Sequence, residues 1–315
     1  MYSRTIKADM KIEYQKYDFK IKFEKPISIE IYPPYILRSL LGMHLKKLSC
    51  IFKNLSSCKN CPVNKQCAYS FIFESIEDKD NSVLRGRERV SHPFIIISHP
   101  KLQNRLDSLE FQLTLFGRSI QYFPYIFQAF SMAGEGGIFK ERVKFKIEQI
   151  RSGSKLLYRF NEENLSLGES EVWQIDLDRE TKSAKKLELS FNSPFRYQKN
   201  NRVSSDFNYS DILISSFRRA NILSSLYGEN SEDIEKVIFE SFNEDKKILV
   251  DTRYRSMSRY SARQGKKMTI GGVMGKAIVE GDLSPFELSI LYGGSIFNIG
   301  KNVSMGFGAM KLEEI

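Results

Sequence analysis

The sequence is poor in the side chains that carry most hydrolytic chemistry. Histidine occurs only three times in 315 residues, at His44, His92 and His99. No Asp/Glu/His cluster has the spacing of a hydrolytic metal site. No run approaches the 18 apolar residues of a membrane-spanning helix. The N-terminus, MYSRTIKADMKIEYQK, is charged and has no apolar signal core. These absences lead to the expectation of a soluble, cytoplasmic protein with no membrane partner. A nucleotide P-loop is also missing. The nearest match, Gly294 to Asn302, has five intervening residues and Asn in the hydroxyl position. Without a nucleotide or flavin motif, a redox role would rest on cysteine alone.

Cysteine is itself scarce, and its placement is informative. Cys50, Cys58, Cys61 and Cys67 are the only four and lie within one short segment, CIFKNLSSCKNCPVNKQC. In a cytoplasmic protein such spacing points to four thiolates on one metal rather than to disulfides. A closed four-cysteine site implies a structural role, with zinc the first choice and an iron–sulfur cluster the alternative.

What is abundant is positive charge and aromatic surface. The chain carries 48 basic and 38 acidic residues, a net charge of +10, with 23 Phe and 15 Tyr against one Trp. That combination suits single-stranded RNA, whose bases stack on aromatic faces while cations track the phosphates. It is concentrated in DTRYRSMSRYSARQGKK, where Arg253, Arg255, Arg259 and Arg263 alternate with Tyr254 and Tyr260. A hairpin there would direct the arginines to phosphates and the tyrosines to bases or riboses. A second concentration ends the chain. Gly300, Gly306 and Gly308, with Lys301 beside the first, form a glycine-rich basic loop. Such a loop lets backbone approach another group closely.

Strand alternation is clear at residues 17–23, 111–115, 143–147 and 187–191. Pro33-Pro34 opens a helix to about Leu48, and a second runs from about Tyr122 to Met132. Asn208 or Ser210 caps a third that ends at Gly228. Ser284-Pro-Phe-Glu287 is a capping box for a fourth, which Gly293-Gly294 terminates. The order strand, helix, strands, helix, strand therefore occurs twice. It predicts an α+β protein of two tandem ferredoxin-like βαββαβ domains, at 1–150 and 170–315, with the cysteine insertion at about 50–67 in the first.

The order of these segments is similar to a known family. RYSARQGKKMTIGGVMGKAIVEGDLSPFELSILYGGSIFNIGKNVSMGFGAMKLEE resembles the C-terminal domain of CRISPR precursor-RNA-processing endoribonucleases of the RAMP superfamily. LELSFNSPFRY and FRRANILSSLYG resemble that domain's first strand and helix. YILRSLLGMHLKKLSC, the cysteine segment, SHPFIII and LTLFGRSIQYFPYIFQAFSMAGEGGIFKERVKF resemble the N-terminal half of one branch. The resemblance implies metal-independent cleavage of CRISPR repeat RNA, once per repeat, yielding crRNA. The ribose 2′-hydroxyl attacks the adjacent phosphate, leaving a 2′,3′-cyclic phosphate and a 5′-hydroxyl. It also implies that the glycine-rich loop packs on a helix and touches RNA.

Some members place a catalytic histidine on the first helix, which points to His44 here, with Lys46, Lys47 and Tyr35 as further cation or proton donors. Relatives often carry the histidine one position earlier, where this chain has Met43. Leu37, Leu41 and Leu48 share the helical face of His44, so a packing role is the competing expectation. The alternative function is a non-catalytic crRNA-binding subunit of a CRISPR effector complex, whose other subunits would then be partners.

Overall fold

The computed structural model describes residues 10–55, 57–74, 91–98, 105–162, 164–175, 184–230, 246–261 and 266–315. Its first half is built on β1 (Met10–Ile27), flanked by β3 (Leu106–Phe116) and β4 (Phe145–Ser152), both antiparallel to it. With β2 (Phe94–Ile97) and β5 (Lys155–Arg159) the strand order is β2-β3-β1-β4-β5. α1 (Pro33–Ser49) and α2 (Phe123–Gly136) cover one face. Tyr17, Phe19 and Ile21 of β1 bury against Leu41 of α1 and Phe130 of α2.

The second half repeats this connectivity. β7 (Ala184–Phe195), α3 (Tyr209–Tyr227), β11 (Lys247–Ser261), β12 (Lys266–Leu283), α4 (Pro285–Phe297) and β13 (Met310–Glu314) follow in turn. Their sheet order is β11-β12-β7-β13. In each half the first strand is central and its neighbours are the third and fourth, which is the ferredoxin-like arrangement. Short strands β6 (Glu171–Gln174) and β10 (Glu229–Asn230) pair with β1, while β8 (Tyr197–Lys199) and β9 (Arg202–Ser204) form a separate ribbon.

β1 joins the halves by a change of phase. Tyr17, Phe19, Ile21 and Phe23 face the first core, whereas Met10, Ile12 and Tyr14 belong to the second, together with Trp173 of β6. Successive side chains of a strand point to opposite faces. Shifting the apolar set from odd to even positions thus places one strand in two cores.

The helix starts agree with the sequence signals. Pro33 and Pro34 open α1, the Asn208 side chain accepts from Asp211 N–H at α3, and Ser284 and Glu287 complete the capping box of α4. The expected end of α4 at Gly293-Gly294 is corrected by the structure, because the helix runs on to Phe297. Those glycines serve packing. A Cβ at Gly293 would stand 2.6 Å from the Trp173 ring, and one at Gly294 would stand 2.4 Å from Ser216 Oγ of α3. No helix among the described residues is long and apolar enough to cross a membrane.

Candidate functional site

The glycine-rich ending is a joint between the two halves. Gly300, Asn302, Gly306 and Gly308 all have positive φ, a region that favours glycine and tolerates Asn. A Cβ at Gly308 would lie 1.8 Å from the Ile299 carbonyl, whose own N–H donates to Gly308 O. At Gly306 it would meet Pro34 at 2.8 Å, and the Tyr32 hydroxyl donates to Gly306 O at 2.9 Å. Phe307 is fully buried beside the Tyr32 and Tyr35 rings. The close approach is therefore to the N-terminus of α1. Gly306 and Gly308 are buried, and Lys301 stands exposed at the rim.

The arginine segment is half of a two-stranded arm. β7 pairs with β12 only from Val273 onward, whereas β11 pairs with it out to Ser261↔Lys266. Arg253, Tyr254 and Arg255 are exposed near the base of this arm. Arg253 and Arg255 lie opposite Met274 and Gly272. Arg259 and Tyr260 fall in the same strand by register, and Arg263 lies outside the described residues. Arg196 ties the arm to the glycine loop: its guanidinium donates to Gly271 O at 3.0 Å, and its carbonyl accepts from Lys301 N–H.

α1 carries the four catalytic candidates, but it does not bring them to one place. Tyr35 sits against Phe307 at the glycine loop. His44 is nine residues on, about two and a half turns and about 13 Å, so it leaves the opposite face. There it packs at the end of α2, with Cε1 3.7 Å from an ideal Cβ on Gly136. Lys46 turns away over the Tyr69 ring at 5.4 Å. Lys47 stays with His44, and both lysines also complement the C-terminal dipole of the helix. The packing expectation for His44 is met in part: Leu37 and Leu41 are buried, but Leu48 and Met43 are exposed and His44 is half-buried. Its Nδ1 is buried without a hydrogen-bond partner. Burial first, and the Lys47 charge second, push its pKa below the usual imidazole value.

The four cysteines are free thiols held in local turns. Cys50 caps α1, Cys58 opens a short 3-10 turn that Cys61 closes, and Cys67 N–H donates to Val63 O. Among the described residues no three His, Cys, Asp or Glu side chains converge to hold a metal. Burial, then the Glu74 charge, raise the Cys58 thiol pKa, and Cys67 and Cys50 are near enough to add to that rise.

Two features had no sequence signal. The Arg38 guanidinium stacks over Phe73 and Phe94 and donates to His92 Nε2 at 2.8 Å, linking α1 to the edge strand β2. His99 lies outside the described residues. Between the halves a cleft of about 580 Å³ is lined by Lys16, Lys20, Arg151, Asn192 and Lys311. Its polar wall is the face of β1 that alternation directs away from the helices.

The comparisons with known proteins follow this geometry. Residues 189–310 match the family model of the CRISPR-associated endoribonuclease Cas6, and residues 12–170 match a model described as an N-terminal domain. The Cas6 likeness thus falls on the second half of the chain. No curated protein sequence matches it. Thermus thermophilus Cas6 superposes with a TM-score of 0.54 at 14% identity, over 97% of this chain and 99% of that one. A Cas6 product complex gives 0.55 at 14%, over 95% and 99%. The chain of a partial Cas6-RT-Cas1–Cas2 complex gives 0.56 at 10%, over 96% of this chain and 46% of that one. At these identities the Cas6 structures share the fold, two ferredoxin-like units side by side.

Proposed function

We propose that this protein acts as a Cas6-type endoribonuclease, which binds CRISPR repeat RNA and cuts the precursor transcript once within each repeat, in the cytoplasm, without a divalent metal. The observation that carries the chemistry is His44, a half-buried imidazole beside Lys47 at the accessible end of α1, where burial favours its neutral form. In this reading His44 takes the proton of a ribose 2′-hydroxyl. The O2′–P bond forms and the P–O5′ bond breaks. Lys47 offsets charge on the pentacoordinate phosphorus, and the leaving 5′-oxygen takes one proton from solvent, to which the imidazole returns the one it accepted. The products are a 2′,3′-cyclic phosphate and a 5′-hydroxyl. The nucleophile is internal to the RNA, so no water has to be activated. The β11–β12 arm and Lys301 hold further phosphates of the same RNA in this reading.

The test is a repeat RNA from the protein's own array, incubated with protein in EDTA. A single cut, abolished by a 2′-deoxy substitution at the cut nucleotide, supports the reading. Binding without a cut selects the alternative, a non-catalytic crRNA-binding subunit. The separation of Tyr35 and Lys46 from His44 favours that alternative. The product and Cas1–Cas2 complexes formed by neighbouring Cas6 structures make repeat RNA, and subunits of larger CRISPR assemblies, the partners in this proposal.

We propose separately, on spacing alone, that Cys50, Cys58, Cys61 and Cys67 hold one structural zinc ion, with an iron–sulfur cluster as the alternative. Cys50 and Cys67 are near enough to Cys58 to act on its thiol, and no catalytic step runs through the cysteines. Elemental analysis after anaerobic purification, repeated on the Cys58→Ser/Cys61→Ser double variant, decides it. Neither zinc nor iron in the wild type sinks the site.

A further inference from the structure

We infer that the connection from α2 to β4, residues 136–143, is a nucleotide clamp that seats one unstacked base and its phosphate beside His44. This rests on the reading of His44 as the proton acceptor of an RNA site.

The connection is a tight loop closed by the buried pair Ile138 and Val143, whose backbones exchange hydrogen bonds of 2.9 and 3.0 Å. Between them Phe139 has φ 61° and Arg142 has φ 47°. Two bulky side chains thus stand in the left-handed region within four residues, where glycine would be relaxed. Nothing in the core demands a phenylalanine there, because Phe139 is 38% exposed. Lys140 and Arg142 are exposed as well, with Glu141 the one acid at the tip. Strain kept in an exposed aromatic-and-cation loop points to a ligand rather than to the fold.

The loop's position identifies that ligand. It leaves from Gly136, the α2 residue against which His44 packs, so the loop begins at the side of α1 that holds His44. A flat apolar ring flanked by guanidinium and ammonium groups fits a base and its phosphate, not a protein helix or a free anion. A base stacked on Phe139 would hold the adjacent 2′-hydroxyl and phosphate at the imidazole. Positioning of this kind is what a site with few catalytic groups needs most.

The experiment uses the full chain and its own repeat RNA, carrying 4-thiouridine for ultraviolet cross-linking. A cross-linked peptide spanning residues 136–143 is expected. Phe139→Gly is the decisive variant because strain and stacking act in opposite directions. It should leave the melting temperature unchanged or raised while weakening RNA binding about tenfold, the scale of one lost base stack. Arg142→Gly should act in the same direction. Affinity equal to wild type, or a loss of affinity matched by a fall in melting temperature, overturns the clamp. Cleavage in EDTA is scored separately. RNA that cross-links to the loop but is never cut sinks the endonuclease reading and leaves the clamp standing. Normal cutting by a fully active Phe139→Gly protein does the reverse.

Discussion

The molecule has two glycine-rich connections at equivalent places in its two halves, one after α2 and one after α4. The second, ending at Gly306 and Gly308, is packed inward: its glycines are buried and meet backbone or Pro34. The first, around Gly136 and Phe139, opens outward, with exposed Phe, Lys and Arg side chains. α1 lies between them. Its Tyr32–Tyr35 end is locked to the buried connection and its His44 end abuts the exposed one. One supersecondary position has thus become a joint in one half and a candidate binding lip in the other. The glycines that stand out in the sequence are those of the joint.

The largest expected effect falls at the outward side. His44→Ala should lower single-turnover cleavage by about 10²–10⁴-fold while repeat-RNA affinity and the melting curve hold. A lowered melting temperature with a near-normal rate would instead make His44 a packing residue and remove the distinction between the two ends. The pH profile sharpens this. The folded pKa lies below the ordinary imidazole value, so the active neutral base persists below pH 6.5, and the rate falls only as pH drops through the lowered pKa. The sign for stability is the same. In that window the unfolded chain binds more protons, so the contribution is full above the ordinary value and is lost as pH falls through the folded one.

At the joint the expected loss is of folding, not of rate. Gly308→Ala meets the Ile299 carbonyl at 1.8 Å from a φ of 71°, which side-chain motion cannot relieve. Denaturant titration should register about 2–4 kcal/mol of destabilisation. A change under about 0.5 kcal/mol would mean that the connection is not a joint, and would return it to the RNA side.

How far the sequence foretold this depends on the range of the signal. Local patterns carried through: the alternation at Tyr17–Phe23, Pro33 at a helix start, and Ser284 with Glu287 as a capping box. Tyr35 and His44 could be placed on one helix, and Lys47 beside His44. What was illegible depends on distant partners. Gly293 looks like a stop signal until Trp173, far upstream in the chain, is found against it. Gly306 looks like a ligand loop until Tyr32 and Pro34 are seen to occupy it. The phase change in β1 after Tyr14 is visible in the sequence, but it has meaning only once a second core is there to receive Met10 and Ile12. The cysteines mark the other limit. Their spacing fits a metal centre, and which atom would bridge the turns that carry them is not written in the spacing.

The arm gives a smaller, graded effect. Arg253→Ala and Arg255→Ala should each weaken repeat-RNA binding and lower the slope of log affinity against log salt by roughly 0.7, one phosphate contact on a single strand. An unchanged slope in the double variant would leave RNA binding to the α1 side alone.

The smallest effect discriminates most finely. Gly136→Ala is the counterpart of Gly308→Ala, but here the new methyl meets only the edge of His44, at an ordinary contact distance of 3.7 Å, and the residue is the last of α2. Alanine exceeds glycine in helix propensity by about 1 kcal/mol at interior positions, and by less at an end. Stability should therefore rise by a few tenths of a kcal/mol rather than fall. The same methyl covers the imidazole further, which disfavours its charged form and moves the acid limb of the rate profile to lower pH. The two glycines then respond to one substitution with opposite signs in stability, and only Gly136 alters the profile. Equal losses of stability at both would show that the exposed connection is a second joint. An unmoved acid limb, with His44→Ala still inactive, would mean that the titrating group is not the imidazole beside Gly136.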